Sequence, residues 1–344
     1  MTNSSPVIKK ETKNKIRVEF ERTSRWQRFK IKYLSLHFLA QVFIKIFTYV
    51  LLIGISFIIL YPFVTKIASS FMSPEDFVDA TVKLIPKYPT LNTYKQIIIE
   101  NHYFQAMFNT AVLSLICGLI QTFICCVIGY GFAKYKFKGS GFLFLLVVFT
   151  MIVPHQTLKY SMFLKFRYFD IGIFNFGILK LFGNAEGINM TDTYLPLILL
   201  SVFGLAFKNG LYIFMMRQFF RGVPDELEES AYIDGSGVFR TFIQIILPLS
   251  VPMMITIFLF AFSWQWTDNF YTTTSMFFPG RDQLLLSKIV TVPRTLDTDY
   301  AGGNMFSAAI RNTCGLLIIA PLVIIYLFFQ KYLVQGIERS GITG

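Results

Sequence analysis

The sequence predicts an all-α membrane protein with about six spanning helices, each near the ~20 apolar residues that cross a bilayer's hydrocarbon. Three observations carry this reading. Of 344 residues, 54% are hydrophobic and only 15% charged, with 39 phenylalanines, more apolar surface than a soluble chain of this length can hide. Nearly uncharged runs of spanning length occur at Ile46–Thr65, Ala106–Phe132, Gly141–Leu158, Tyr194–Met216, Leu247–Thr267 and Asn312–Phe329. The short alternating strands of a β-barrel are missing from the pattern, which leaves helices, whose backbone groups are satisfied within each segment.

The elements follow in order. Residues 1–24 are polar and charged without hydrophobic periodicity, and are expected to be a disordered basic tail. From 25 to 44 the apolar positions Trp26, Phe29, Tyr33 and Leu36 recur at helical spacing beside Arg25, Arg28 and Lys32. This predicts an amphipathic helix lying in the headgroup layer. Residues 45–344 form one membrane domain. Its long connections, 66–105, 159–193 and 271–311, carry Pro, Asn and Gly turn signals.

The net charge of +12 is not a nucleic-acid signature, because the basic residues cluster around the spans. Lys9, Lys10, Lys13, Lys15, Arg17 and the run from Arg22 to Lys32 place the amino terminus in the cytoplasm, and an even number of spans returns the carboxyl terminus there. Lys134, Lys136 and Lys138 then form a basic cytoplasmic loop. The amino terminus lacks a cleaved signal-peptide pattern. Cys117, Cys125, Cys126 and Cys314 all fall inside spans and read as packing thiols. His37, His102 and His155 are dispersed, so neither a metal centre nor a nucleophile triad is supported.

The unusual stretch is the cytoplasmic loop between the fourth and fifth spans. Pro224 suits a first helical position, and Asp225, Glu226, Glu228 and Glu229 then complement a helix dipole. Leu227, Ala231 and Tyr232 supply an apolar stripe, and Asp234-Gly235-Ser236-Gly237 breaks the helix. A second amphipathic helix with Phe239, Phe242, Ile243 and Ile246 runs into Pro248 and the fifth span. Such a helix–turn–helix is too short to fold alone and has the character of a docking element.

In these residues the chain resembles the permeases of ABC importers. Their EAA loop reads Glu-Ala-Ala, three residues, Gly, nine residues, Ile, one residue, Leu-Pro. Here Glu229-Ser230-Ala231, Gly235, Ile245, Leu247 and Pro248 stand at those intervals, with Ser230 replacing the first Ala. ELEESAYIDGSG, GYGFAKYKFKG (129–139), MIVPHQTL (151–158) and FFQKYLVQGI (328–337) are similar to the carbohydrate-importer branch, the maltose-permease-like family.

The resemblance implies the type I importer fold, with a coupling loop at 221–248. Glu228, Glu229, Ser230, Ala231, Asp234 and Gly235 would seat in a groove of an ATPase subunit, Ala231 and Gly235 permitting close approach. It further implies a prokaryotic cytoplasmic membrane, a second homologous permease, two ATP-binding subunits and an extracellular solute-binding protein. ATP and Mg would be used by the ATPases. This chain has no Gly-rich loop followed by Gly-Lys-Ser/Thr, so it is not expected to be an enzyme or to bind a cofactor itself.

Sugars are held by aromatic faces and polar side chains, and SWQWTDNFYTTT (263–274) supplies both. Trp264, Gln265, Trp266, Asp268 and Asn269 are therefore the candidates for the substrate path, against the alternative of an interfacial aromatic belt. Lys208 interrupts the fourth span and must face protein or water. It meets an acidic sugar's carboxylate, pairs with Asp268 or snorkels, and structural pairing is favoured. Residues 173–187 look like an insertion relative to the family. An ion-gradient-driven secondary transporter is the rival class, disfavoured because Asp268 alone places an acid near a span.

Overall fold

The structure, a computed structural model, describes residues 8–10, 16–18, 36–170, 172–173, 176–177, 187–272, 276–280, 284–297 and 299–341. The chain divides into two compact units, Met1–Thr65 and Lys66–Gly344. In the first, β1 (Ile8–Lys10) pairs antiparallel with β2 (Ile16–Val18), Ile8 opposite Val18. A strand pair thus stands within the stretch expected to lack regular structure. The rest of that tail, and most of the amphipathic segment at 25–44, lie outside the described residues. Helix α1 (Leu36–Ser69) begins inside that segment and continues through the first apolar run. From Ile46 to Val64 it is apolar all round, as suits a helix that meets lipid.

The second unit opens with the 3₁₀ turn Pro74–Phe77 and the short helix α2 (Asn92–Glu100), in the connection where the Pro and Asn signals stand. Helix α3 (Tyr103–Lys134) is the central element. It packs against α7 (Asn209–Arg221) on one side and α9 (Val238–Trp266) on another. Glycines permit the approach. A Cβ at Gly129 would stand 2.5 Å from that of Met216, and one at Gly118 would stand 3.3 Å from the Phe258 ring. The last described element is α10 (Gly303–Gly341).

Two expected spans are not single rods. The third run forms α4 (Ser140–Ile152), after which Val153-Pro154 breaks the ladder. A turn at His155 leads into α5 (Lys159–Arg167), and the path bends by 96°. The fourth is split into α6 (Leu195–Val202) and α7. Gly204 (φ +68°) ends α6 in a Schellman motif, with Leu205 N–H donating to the Leu200 carbonyl at 2.8 Å. Four helices among the described residues are long and apolar enough to span by themselves, with a fifth where the bent pair crosses as one span rather than turning back as a re-entrant loop. The split fourth run accounts for the difference from six.

Helix α9 is continuous from the loop into the fifth span, as the sequence suggests, but it holds a π turn at Phe242–Ile246. Pro248 lacks the N–H that an α-helix would send back to Gln244, and the widened turn precedes it. The four cysteines are buried and free. Beyond α9, residues 284–296 are tied onto α2 and α3. Asn101 donates to the Ile289 and Thr291 carbonyls, Asn109 donates to that of Leu284, and Leu286 N–H donates to Thr110 Oγ1. Beyond α5, the Phe169–Ile188 bridge closes a connection holding the strand pair β3 (Gly172–Ile173) and β4 (Phe176–Gly177). Most of the insertion at 173–187 lies outside the described residues.

Candidate functional site

Two arrangements stand out, at opposite ends of α9. The first is helix α8 (Glu226–Ile233) beside its amino-terminal end. Pro224 lies two positions before the predicted place, since Asp225 is the N-cap and Glu226 the first helical residue. The acidic first turn, Glu226, Glu228 and Glu229, complements the helix dipole. The helix stops at Gly235 in a Schellman motif. Ser236 N–H donates to the Ala231 carbonyl at 2.9 Å, Gly235 N–H donates to that of Tyr232 at 3.0 Å, and Gly235 holds φ +80°.

The anchor of this helix is Lys134, the last residue of α3, rather than a member of a basic loop with Lys136 and Lys138. Its side chain is only 7% exposed. Its ammonium donates to the Val223 carbonyl and to Asp225 Oδ1, each at 2.6 Å, and lies 3.9 Å from Glu228 Oε1. Lys134 holds the Asp225 carboxyl below the usual carboxylate range, whereas burial pushes that of Glu228 up. Tyr130, one turn earlier on α3, packs on Tyr135, Phe220 and Phe242, with ring centroids 5.7, 5.4 and 4.7 Å away. The ends of α3 and α7 and the start of α9 are therefore locked together beneath α8.

The predicted coupling residues divide into two faces. Glu228 and Ala231 are buried within the chain, so Ala231 provides close packing inside this subunit. Glu229, Ser230, Asp234 and Gly235 are exposed, and a Cβ on Gly235 would meet nothing within 4 Å. Beside them, Ile233 is 86% and Phe239 76% exposed, with Leu227, Val238 and Tyr232 also open. An acidic rim around so much bare apolar surface is the composition of a docking patch.

The second arrangement is a cavity of about 200 Å³ near the other end of α9. Trp264, Gln265, Asp268 and Asn269, the candidates for the substrate path, line it. Gln121, His155, Phe207 and Tyr271 join them and were missed. A buried amide within an apolar helix was the available signal for Gln121. His155 Nδ1 and the Tyr271 hydroxyl share a hydrogen bond of 2.5 Å, which ties the bend after α4 to the segment after α9. Trp266 does not reach the cavity. It is buried against Phe262 and donates from Nε1 to the Ile318 carbonyl at 2.9 Å, a packing contact between α9 and α10.

The expected Lys208–Asp268 pair does not form. Asp268 is consumed by its own turn, accepting from the amides of Phe270 (3.1 Å), Tyr271 (3.3 Å) and Thr272 (2.9 Å). Lys208, the N-cap of α7, instead lays its ammonium over the rings of Phe207 and Trp264, 4.8 and 5.1 Å from their centroids.

Residues 125–339 match the family model described as binding-protein-dependent transport system inner membrane component. The chain belongs to this family. The matched stretch holds Lys134, the loop at 221–248 and most of the cavity wall. Among curated relatives of this permease is the polygalacturonan/rhamnogalacturonan transport system permease protein of Bacillus subtilis, 27% identical over 86% of this chain and 96% of its own length. Another is the maltodextrin transport system permease protein of Streptococcus pneumoniae, 28% identical over 86% of this chain and 95% of its own length. A solved bacterial ABC transporter involved in import of the acidic polysaccharide alginate shares the fold. It has a TM-score of 0.59 and 21% identity, over 91% of this chain and 99% of that one.

Proposed function

We propose that this permease is the transmembrane subunit of an ATP-driven oligosaccharide importer, with both termini in the cytoplasm of a prokaryote. It works with a second permease, two ATPases that use ATP and Mg, and an extracellular binding protein. The observation that carries the reading is the exposed apolar surface of Ile233 on α8 and Phe239 at the start of α9, anchored through Lys134 to α3, while α3 through Gln121 and α9 through Ala261, Trp264 and Gln265 also line the cavity. A push on α8 is transmitted by packed helices rather than by a flexible loop. Closure of the ATPases then favours one of two arrangements of the cavity, as a bistable element requires. Relatives named for galactooligosaccharide and maltodextrin transport support the sugar class.

The test is reconstitution of the whole importer in proteoliposomes, with Ser230→Cys crosslinked to the ATPase subunit. The expected result is ATP-dependent oligosaccharide uptake and a crosslink whose yield changes with nucleotide. Uptake driven by an ion gradient without ATP, or a Ser230 site that never meets the ATPase, overturns the proposal.

A further inference from the structure

The split in the fourth span places a lysine where the chain had little need of one. Lys208 holds φ +68°, a left-handed conformation that a side-chain-bearing residue rarely adopts. Its ammonium rests on Phe207 and Trp264, both of which line the cavity. Among the described residues no carboxylate lies within ion-pair distance of it. The nearby acid, Asp268, has its oxygens occupied by the three backbone amides of its turn. A π face balances an ammonium without accepting its N–H groups end-on, so the cation keeps donors for a ligand.

Two further groups are unpaired here. The Gln265 amide nitrogen, in the cavity wall, is buried without a protein acceptor. Both amide atoms of Asn209, a 1% exposed residue beside Lys208, also lack protein partners. Asn209 opens α7, whose amino-terminal end has no side-chain cap and carries the positive end of the helix dipole. A half-helix amino terminus inside a broken span is a place where anionic groups are held in membrane transporters.

We propose that the cavity takes sugars bearing a carboxylate, uronate units, with Lys208 receiving the carboxylate, Gln265 donating to the same unit and Trp264 covering the ring face. This rests on the oligosaccharide-import reading and deepens it. A neutral sugar leaves the ammonium uncompensated beside the two lining rings it rests on, Phe207 and Trp264, whereas a uronate supplies the counter-charge.

The experiment uses the complete importer in proteoliposomes and compares uptake of oligogalacturonate, its methyl ester and a neutral galactooligosaccharide by wild type, Lys208→Met and Lys208→Arg. The wild type is expected to carry the free acid, and Lys208→Met to lower that uptake about tenfold, as loss of a hydrogen bond to a charged group implies. Arg should restore most of it, and residual ester or neutral uptake should be unchanged by Met. Loss of all three substrates alike in Lys208→Met, or of none, overturns the proposal. Uptake of neutral sugars alone by wild type overturns it while leaving the oligosaccharide reading intact, and failure to carry any sugar overturns both.

Should Lys208→Met fail to assemble, amine-reactive labelling of Lys208 in the wild-type importer, read by mass spectrometry, decides. Protection by oligogalacturonate and not by its methyl ester is the expected result, and equal labelling with both refutes it.

Discussion

Lys134 Nζ lies 2.6 Å from Asp225 Oδ1, so the final residue of the central helix grips the N-cap of α8. Asp225 is open to solvent, and the pair alone is worth little. The weight lies in the other contacts of the ammonium, the Val223 carbonyl and the neighbouring buried Glu228. Lys134→Met removes the cation from all three. We expect ATP-driven uptake to fall about tenfold or more, the scale of a lost hydrogen bond to a charged group. ATPase activity should persist with less dependence on the binding protein. Parallel uptake and ATPase measurements on the same proteoliposomes check this; retained coupling would show that the grip on Asp225 is ornamental.

Glu228 makes the foot of the bundle pH-sensitive in a stated direction. Its carboxyl is pushed up by burial, so the stability it contributes is complete below its unfolded pKa of about 4.3 and is lost as pH rises through the folded value. Asp225 has the opposite sign: its carboxyl is held down by Lys134, and its contribution is lost only as pH falls below about 3.9. Between neutral pH and the unfolded Glu228 value of about 4.3, the Glu228 contribution changes while that of Asp225 does not. Thermal unfolding of wild type and Glu228→Gln should show that the wild type gains stability relative to the variant on acidification. A constant difference across that range would contradict the assignment.

Gly235 matters for its backbone. Open space surrounds the place of a Cβ, yet φ is +80°. Gly235→Val should cost about 1–2 kcal/mol in helix termination and redirect the loop toward Val238. Gly235→Asn, which tolerates the left-handed region, should cost less. Uptake rates are expected in the order Gly, Asn, Val at equal membrane abundance. Gly235→Asp should leave the complex in the membrane yet without uptake, because its added charge stands on the docking face. Normal uptake by that variant would count against the docking role.

The two tryptophans two residues apart should behave differently. Trp266→Phe deletes the donor to the Ile318 carbonyl and is expected to destabilise by about 1 kcal/mol, visible as a lower unfolding temperature with substrate preference unchanged. Trp264→Ala removes a cavity ring that is half-exposed and should alter uptake with little change in unfolding temperature. If the two effects were exchanged, the placement of the cavity would be in error.

Much of this protein is legible in one dimension. Membrane residence follows from apolar runs too long and too frequent for a soluble core. Helix α8 follows from acidic residues at its start and a glycine at its end. Four of the five residues chosen from SWQWTDNF line the cavity, because an aromatic and amide-rich stretch at the end of a span leaves few other places for those groups. Trp266 is the exception, and helical geometry explains it: two residues along a helix turn the side chain to another face, where α10 waits.

Tertiary structure decided the rest. Whether Lys134 is one more loop cation or the buried clamp on Asp225 depends on where the ends of α3 and α7 meet. Whether Lys208 pairs with Asp268 depends on a turn that had already satisfied that carboxylate. The bend after Ile152 and the break before Asn209 likewise turn apolar runs that read as rods into the walls of a cavity. Composition and periodicity report what a residue buries and on which face of its own helix. Partnership between charges is set by distance in space, and that exists only once the helices have packed.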